Sequence, residues 1–164
     1  MNTAAPASTV KSNDILITRI FDAPRELVFK AWTDPAHLMK WWSPKGSTTP
    51  HASVDLRVGG EFRFCMRFPD GREGWGKGIY REIVVPEKIV YRTHLTDAEG
   101  NVLKAPFGKT ISGELPESIV TATFEDLSGK TKLTLHHTVT EFHPHRDQMY
   151  EGWTQMFDKL GNSF

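Results

Sequence analysis

The chain has little cysteine and no surplus of charge of either sign. Its 164 residues include one cysteine, Cys65, so an intrachain disulfide is excluded. The 20 basic side chains balance the 20 acidic ones, which gives a formal net charge of zero at pH 7. Such a chain has no general electrostatic attraction for nucleic acids or for anionic membranes. We therefore expect no nucleic-acid partner, and the lone cysteine fits a reducing compartment such as the cytoplasm.

Long apolar segments are missing as well. No run of residues approaches the roughly 20 apolar positions that cross a bilayer, so we expect no membrane association. The first ten residues, MNTAAPASTV, have neither the charged part nor the apolar part of a secretory signal, and residues 1–13 are predicted to be a disordered tail. Residues 14–164 are predicted to form one soluble domain, as a monomer or a homodimer.

The sequence also lacks the short motifs of common enzymes and metal sites. It has no nucleophile elbow, phosphate-binding glycine loop, dinucleotide fingerprint, Cys-x-x-Cys pair or helical His-x-x-x-His pair. His136 and His137 would face opposite sides of a strand, so they cannot bind one ion together. Cys65 alternates with Arg63 and Arg67 on a polar strand face, with no histidine assigned beside it, and is interpreted as inert. We predict no metal, no cofactor and no catalytic residue.

Hydrophobic periodicity predicts a mixed order of helices and strands. A strand over 14–21 is followed by two short helices, the first over 24–33 and the second between Pro35 and Pro44. Asp34 is expected to cap the second helix. Alternation of apolar and polar residues then predicts strands over residues 53–57, 61–68, 75–85, 88–95, 119–127 and 130–140.

The predicted strand over 75–85 does not alternate cleanly. Tyr80 shares a face with Gly74, Gly76 and Gly78, whereas apolar residues such as Ile79 share the other face with charged ones. A β-bulge within this strand would reconcile the two patterns.

A polar segment over 97–118 separates the two groups of strands. Loops of this length inside a compact domain are usually functional or mobile. We interpret it as a candidate gate for a binding site.

The last element is predicted to be one amphipathic helix over 145–160. Its apolar residues recur at i, i+4, i+7, i+8 and i+11, which is one stripe of a helix. A single long helix that follows an antiparallel sheet is expected to pack across it. Because a sheet of this size curls, a cleft forms between sheet and helix unless side chains fill it.

Several stretches resemble one known family when they are taken in order. Residues 19–35 read RIFDAPRELVFKAWTDP, and WWSP follows at 41–44, GGEF at 59–62, PEKIVY at 86–91 and EGW at 151–153. This pattern resembles the stand-alone proteins related to the C-terminal domain of the activator of the ninety-kilodalton heat-shock protein ATPase. That family belongs to the START-like, or SRPBCC, superfamily.

The resemblance implies an α+β helix-grip fold. In that fold a curved antiparallel sheet of six or seven strands grips a long C-terminal helix, and two short helices close one end. Members of the superfamily bind lipids, sterols, polyketides or plant hormones, and a few are cyclases or hydrolytic enzymes. A fold alone does not fix which of these functions a chain has.

The residues predicted to line a cleft between sheet and helix are mostly aromatic residues and methionines. They are Trp42, Phe62, Phe64, Met66, Tyr91, His137, Met149, Trp153, Met156 and Phe157. The alternative is that these side chains simply form the core, which is the ordinary fate of an apolar stripe. His137 would add a polar group to the interior, or else be a half-buried histidine with satisfied hydrogen bonds.

These observations favour a small-molecule binding module that holds a nonpolar or amphipathic ligand between the sheet and the C-terminal helix. One alternative is a chaperone-associated or stress-response domain that binds another protein. Another is an enzyme of the cyclase or hydrolase type, in which Tyr91 and His137 would be the titratable candidates.

Overall fold

A computed structural model describes residues 13–103, 118–139 and 146–164 of the chain. In this structure seven antiparallel strands form one curved sheet with the order β1-β7-β6-β5-β4-β3-β2. The elements in chain order are β1 (Ile15–Phe21), α1 (Arg25–Thr33), α2 (Pro35–Trp41), β2 (Thr48–Val54), β3 (Glu61–Arg67), β4 (Glu73–Val84), β5 (Lys88–Thr96), β6 (Ile119–Leu127), β7 (Lys130–His137) and α3 (Arg146–Asn162). The predicted α+β helix-grip fold is confirmed.

The second short helix begins at the predicted Pro35, and the first begins at Arg25, one residue after the predicted start, with Pro24 as its N-cap. Asp34 caps α2, because its side chain accepts a hydrogen bond from the backbone N–H of His37 at 3.1 Å, and Pro35 is the first helical residue. The indole N–H of Trp41 donates to the carbonyl oxygen of Ala31 at 2.9 Å. This hydrogen bond joins α2 to α1, so the two helices pack as a pair.

The position of β2 corrects one prediction. The sequence pattern placed a weak strand over 53–57, whereas the strand is Thr48–Val54. Pro50 concealed it, since proline cannot donate to a strand ladder and argues against an interior strand. The structure places β2 at the edge of the sheet, where proline is tolerated, with a register shift between Thr48 and His51.

The predicted bulge in β4 is confirmed. The register of β4 against β5 shifts between Tyr80 and Glu82. Before this shift, Tyr80 pairs with Tyr91 and both side chains are buried. Tyr80 lies on the inward side with the glycines by simple alternation, and the bulge after it brings Ile83, which pairs with the buried Ile89, to that same side.

The C-terminal helix is fixed to the rest of the domain near both of its ends. The ammonium group of Lys159 donates to Ser43 Oγ, Pro44 O and Ser47 O at 2.9, 3.1 and 2.9 Å. At the other end, the Arg146 guanidinium donates to the backbone carbonyl oxygens at positions 13 and 14 at 3.1 and 3.0 Å. The position of α3 over the sheet is thus set by polar contacts as well as by its apolar stripe.

Several predicted segments lie wholly or partly outside the described residues. Of the predicted gate over 97–118, the structure describes 97–103 and Ser118. Residues 97–103 form a short turn in which the Asp97 side chain accepts from the backbone N–H groups of Glu99 and Asn101 at 2.9 Å each. The predicted tail over 1–13 lies outside the described residues except for Asn13. None of the described helices is both long enough and apolar enough to span a membrane.

Candidate ligand-binding cleft

The predicted lining residues from the sheet and the helices meet in one network of aromatic rings. The ring of Trp42 lies 5.6 Å from Phe62, 5.7 Å from Phe64 and 5.5 Å from Trp153, measured between ring centroids. Phe62 in turn lies 4.7 Å from Tyr91. Trp42 therefore joins β3 to α3. It is one of the residues predicted from the sequence to line the cleft.

The helix side of this network comes from the predicted stripe. Trp153 lies 5.7 Å from Phe157, and Met156 is buried beside them. Met149, one turn before Trp153, is only half-buried although it packs against the same core. The stripe is consequently sealed toward its C-terminal end and accessible toward its N-terminal end.

The concave face of the sheet shows the same gradient. At one end, Leu133 and Leu135 of β7 are completely buried. At the other end, the inward-facing Phe64 and Met66 of β3 are half-buried, and Leu95 of β5 is 39% exposed. Among the described residues, the inward-facing side chains are thus fully buried at the β7 end and partly accessible beside β3 and β5.

Two glycines of β4, Gly76 and Gly78, let the aromatic rings of β3 lie close against the strand backbone. A Cβ atom at Gly76 would lie 2.4 Å from Phe64 Cζ, and one at Gly78 would lie 2.1 Å from Phe62 Cε1, both far inside van der Waals contact. Glycine is required at these positions because of this close approach.

His137 adds a polar network to the closed side of Trp153. The Trp153 indole N–H donates to His137 Nδ1 at 3.1 Å, and His137 Nε2 lies 2.7 Å from Ser118 Oγ. Since an indole nitrogen can only donate, Nδ1 must be the unprotonated nitrogen and the ring proton lies on Nε2. The Ser118 hydroxyl then accepts from Nε2 and donates to the Thr138 carbonyl oxygen at 3.3 Å.

This tautomer bears on the hydrolase alternative. A serine nucleophile requires a histidine nitrogen that can take its proton. Here His137 Nε2 already carries the proton, because Trp153 fixes the opposite nitrogen as the acceptor. The Ser118–His137 pair has the spacing of a catalytic pair but the reverse polarity, so this arrangement does not activate Ser118.

Four polar groups of the aromatic network have no hydrogen-bond partner among the described residues. They are Trp32 Nε1, Trp42 Nε1 and the hydroxyl groups of Tyr80 and Tyr91. Burial raises the pKa of Tyr80 well above its usual value, with a smaller contribution from the negative charge of Asp55. Burial also raises the pKa of Tyr91, with a smaller effect from Tyr80. Both phenols are therefore neutral.

The environment of Cys65 differs from the prediction. Cys65 lies on the outer face of β3, as expected, but it is buried rather than part of a solvated charged face. His51 and Trp75 are its neighbours in register on either side, and their rings lie 5.4 Å apart. The prediction that no histidine lies beside it was wrong, because β2 was misplaced. Burial and the adjacent Glu73 raise the pKa of the thiol, which favours the unreactive form.

Among the described residues, no group of three or more His, Cys, Asp or Glu side chains is arranged to hold a metal ion. Sequence reasoning also missed three members of the network. Trp32 of α1 stacks on Trp153 at 6.0 Å with an interplanar angle of 18°, and its place in the apolar stripe of α1 was the available signal. Tyr80 was signalled by its parity with the glycines of β4. Ser118 had no signal, because only the fold brings it to His137.

Comparisons with known proteins agree with this architecture. Residues 22–164 match the family of Activator of Hsp90 ATPase homolog 1-like proteins. No curated protein matches the sequence closely enough to count as a relative. A solved structure from Chromobacterium violaceum is similar, with 28% identity, a TM-score of 0.74, and coverage of 93% of this chain and 96% of that chain.

Two more distant structures support the fold alone. A protein from Nitrosomonas europaea has 21% identity and a TM-score of 0.76, and the alignment covers 94% of this chain and 96% of that one. The AHSA1 protein from Silicibacter pomeroyi has 23% identity and a TM-score of 0.72, with coverage of 91% and 95%.

Proposed function

The chain belongs to the family of Activator of Hsp90 ATPase homolog 1-like proteins, and from this premise we propose that it is a small-molecule binding protein. Its ligand is nonpolar or amphipathic and lies in the cleft between the concave face of the sheet and α3. The fold of this family is compatible in general with binding either small ligands or proteins. We favour a small ligand, because some of the inward-facing apolar residues keep accessible surface.

The observation that carries the proposal is the change in burial along the cleft. The inward-facing apolar side chains are sealed at the β7 end, whereas Phe64, Met66 and Met149 are only half-buried at the open end. Apolar side chains that face inward but keep accessible surface are typical of a ligand site. A ligand that buries about 300 Å² of apolar surface gains about 7 kcal/mol before the costs of association.

The physical role of such a site is sequestration or sensing of the ligand by removing it from water. Binding in this way needs no cofactor and no metal. The single cysteine supports a cytoplasmic location. Fractionation of the host cell tests that location directly.

Native mass spectrometry of the protein purified from its own host tests the function. We expect a fraction of the protein to carry an additional small-molecule mass. Replacing Met149 with tryptophan fills the open end and is expected to remove that mass. Replacing the neighbouring exposed residue, Gln148, with tryptophan adds the same bulk on the solvent side and is expected to leave it. Protein without any bound molecule from the host, and without uptake of a nonpolar probe such as 2-ethylnaphthalene, would contradict the function.

A second candidate is association with a protein, such as a chaperone of the Hsp90 class that the family name mentions. It is favoured by the outer side of β1, where Leu16 is 48% and Ile20 is 58% exposed. Among the described strands, β1 pairs only with β7, so it is an edge strand, and exposed apolar edges tend to bind other chains. Binding of the host's Hsp90 that is lost in Leu16→Thr/Ile20→Thr and kept in Thr18→Ala would support this role.

A further inference from the structure

The aromatic wall of the cleft contains polar atoms that hydrogen-bond to none of the described residues. These atoms are Trp32 Nε1, Trp42 Nε1, the Tyr80 hydroxyl and the Tyr91 hydroxyl. All four residues are more than nine-tenths buried. Buried polar atoms are satisfied in most proteins, because leaving one without a partner costs free energy. Three of the four belong to Trp42, Tyr80 and Tyr91, whose rings pack against Phe62, and these three point to a partner outside the chain.

The rings of Trp42, Tyr80 and Tyr91 all pack against Phe62. The ring centroids of Trp42, Tyr80 and Tyr91 lie 5.6, 5.5 and 4.7 Å from that of Phe62. The Tyr91 ring also leans over Gly78, since a Cβ atom there would lie 2.7 Å from Tyr91 Cδ2. The Tyr91 ring is therefore directed from β5 across Gly78 toward Phe62 of β3, and Trp42 packs against the same Phe62 from the helix layer.

The chemistry of these atoms limits the group that they can bind. An indole N–H can only donate a hydrogen bond, and a phenol hydroxyl can donate or accept. A partner shared by Trp42 and a tyrosine must therefore offer an acceptor atom. A carbonyl or hydroxyl oxygen meets this requirement, whereas a hydrocarbon leaves all three groups without a partner.

The surroundings also limit the charge of the ligand. In register, the inward positions of β3, β4 and β5 carry only apolar residues, glycines, tyrosines and Thr93, without a charged side chain. Both ring nitrogens of His137 are engaged by Trp153 and Ser118. The nearby negative charge of Asp55 acts on Tyr80. In the helix layer, the ammonium group of Lys159 already donates to Ser43, Pro44 and Ser47. An anionic ligand would therefore lose its hydration without gaining an unengaged counter-ion.

Resting on the proposed function, we propose that the ligand is uncharged and largely nonpolar, and that it presents an acceptor oxygen to the hydrogen-bond donors of Trp42 and Tyr91. The remainder of the ligand lies against Phe64, Met66 and Met149 at the open end. This assignment makes Trp42 and Tyr91 specificity residues and Phe62 the floor between them.

Three probes with the same naphthalene ring test the assignment by isothermal titration. 2-Acetylnaphthalene has a carbonyl acceptor, 2-ethylnaphthalene has similar size without an acceptor, and 2-naphthoate is an anion at pH 7.5. We expect the ketone to bind about tenfold more tightly than the hydrocarbon, which corresponds to one hydrogen bond. We expect the carboxylate to bind more weakly than either neutral probe.

Removal of single hydroxyl groups identifies the donor. Tyr91→Phe is expected to lower the affinity for 2-acetylnaphthalene about fivefold to tenfold and to leave the affinity for 2-ethylnaphthalene unchanged. The matched control is Tyr150→Phe, because Tyr150 is 40% exposed on α3 and should affect neither probe. In the ligand-free protein, Tyr91→Phe should not lower the unfolding temperature, since the hydroxyl has no partner to lose.

The outcomes separate this inference from the function on which it rests. Equal affinities for the ketone and the hydrocarbon, or preferential binding of the carboxylate, would overturn the inference and leave the proposed function standing. A loss of stability in ligand-free Tyr91→Phe would also overturn it, because the hydroxyl would then have a partner in the free protein. Binding of none of the three probes would contradict both.

Discussion

Replacing Gly78 with alanine puts a methyl group where the ring of Phe62 lies. The added Cβ atom would lie 2.1 Å from Phe62 Cε1 and 2.7 Å from Tyr91 Cδ2, whereas real Cβ contacts are essentially never below 3.0 Å. Phe62 cannot yield easily, because it is buried and is packed against Trp42 and Tyr80 as well. The strain must therefore spread through the ring network.

The magnitude follows from the cost of overpacking a core. Inserting one methyl group into a well-packed interior lowers the free energy of unfolding by about 1–3 kcal/mol. We expect Gly78→Ala to lower the free energy of unfolding by about 2–3 kcal/mol, because its new contact is shorter than the one at Gly76 and the side chains around it are buried. For a chain of this size, that range lowers the unfolding temperature by roughly 4–12 °C.

Gly76→Ala provides an informative contrast. Its Cβ atom would lie 2.4 Å from Phe64 Cζ, but Phe64 is half-buried and can rotate toward the open end. We expect a smaller loss of stability than for Gly78→Ala and a larger loss of probe affinity, because the displaced ring enters the cleft.

Gly152→Ala is the control for both substitutions. Gly152 lies in α3, and a Cβ atom there would meet no side chain and no neighbouring element within 4 Å. Alanine at this position should stabilise the helix by about 0.5–1 kcal/mol. The measurement is urea unfolding of the three variants followed by tryptophan fluorescence and circular dichroism. A Gly78→Ala protein as stable as the parent, or a Gly152→Ala protein that is equally destabilised, would refute this account of the cleft floor.

Two further predictions concern the anchoring of α3 and the effect of pH. Lys159→Met removes three hydrogen bonds to the loop over 43–47 and should lower the free energy of unfolding by about 1–3 kcal/mol in urea titrations; an unchanged midpoint would show that the ammonium group does not anchor the helix. Burial, followed by the charges of Arg92 and Lys77, lowers the pKa of His94 below the 6.5 of an unperturbed histidine. As the pH falls, the unfolded chain takes up the proton first, so the stability contribution is complete above about pH 6.5 and is lost as the pH drops through the lowered pKa. The free energy of unfolding of His94→Gln should therefore decline less between pH 7 and 5 than that of the parent. A decline as steep as the parent's would contradict the assignment.

Much of the fold was accessible from the sequence because its signals are local. The alternation of Phe62, Phe64 and Met66 with charged residues identified β3, and the Asp34–Pro35 pair identified the start of α2. The order of the motifs indicated the superfamily, and the fold of that superfamily predicted that the curved sheet packs around α3. The position of β2 was not predicted, because a proline in a polar segment is typical of a loop and is compatible with a strand only at the edge of a sheet.

The details of the site depended on contacts between distant residues. Its lining could be proposed, because large apolar side chains at inward positions follow from periodicity. The tautomer of His137 could not, since it depends on Trp153 and Ser118, which lie 16 and 19 residues away in the chain. The accessibility of Met149 beside the burial of Met156 is also a matter of packing, and periodicity assigns both to the same stripe.

The most direct test of the binding cleft is methyl NMR of the protein with 13C-labelled methionine methyl groups during titration with 2-acetylnaphthalene. Met66 and Met149 lie at the open end, while Met39 is 43% exposed on α2 and serves as an internal control. The account predicts saturable shifts of the Met66 and Met149 methyl signals, caused by the ring current of the bound naphthalene, and an unchanged Met39 signal. Saturable binding that shifts Met39 and leaves both Met66 and Met149 unchanged would contradict it.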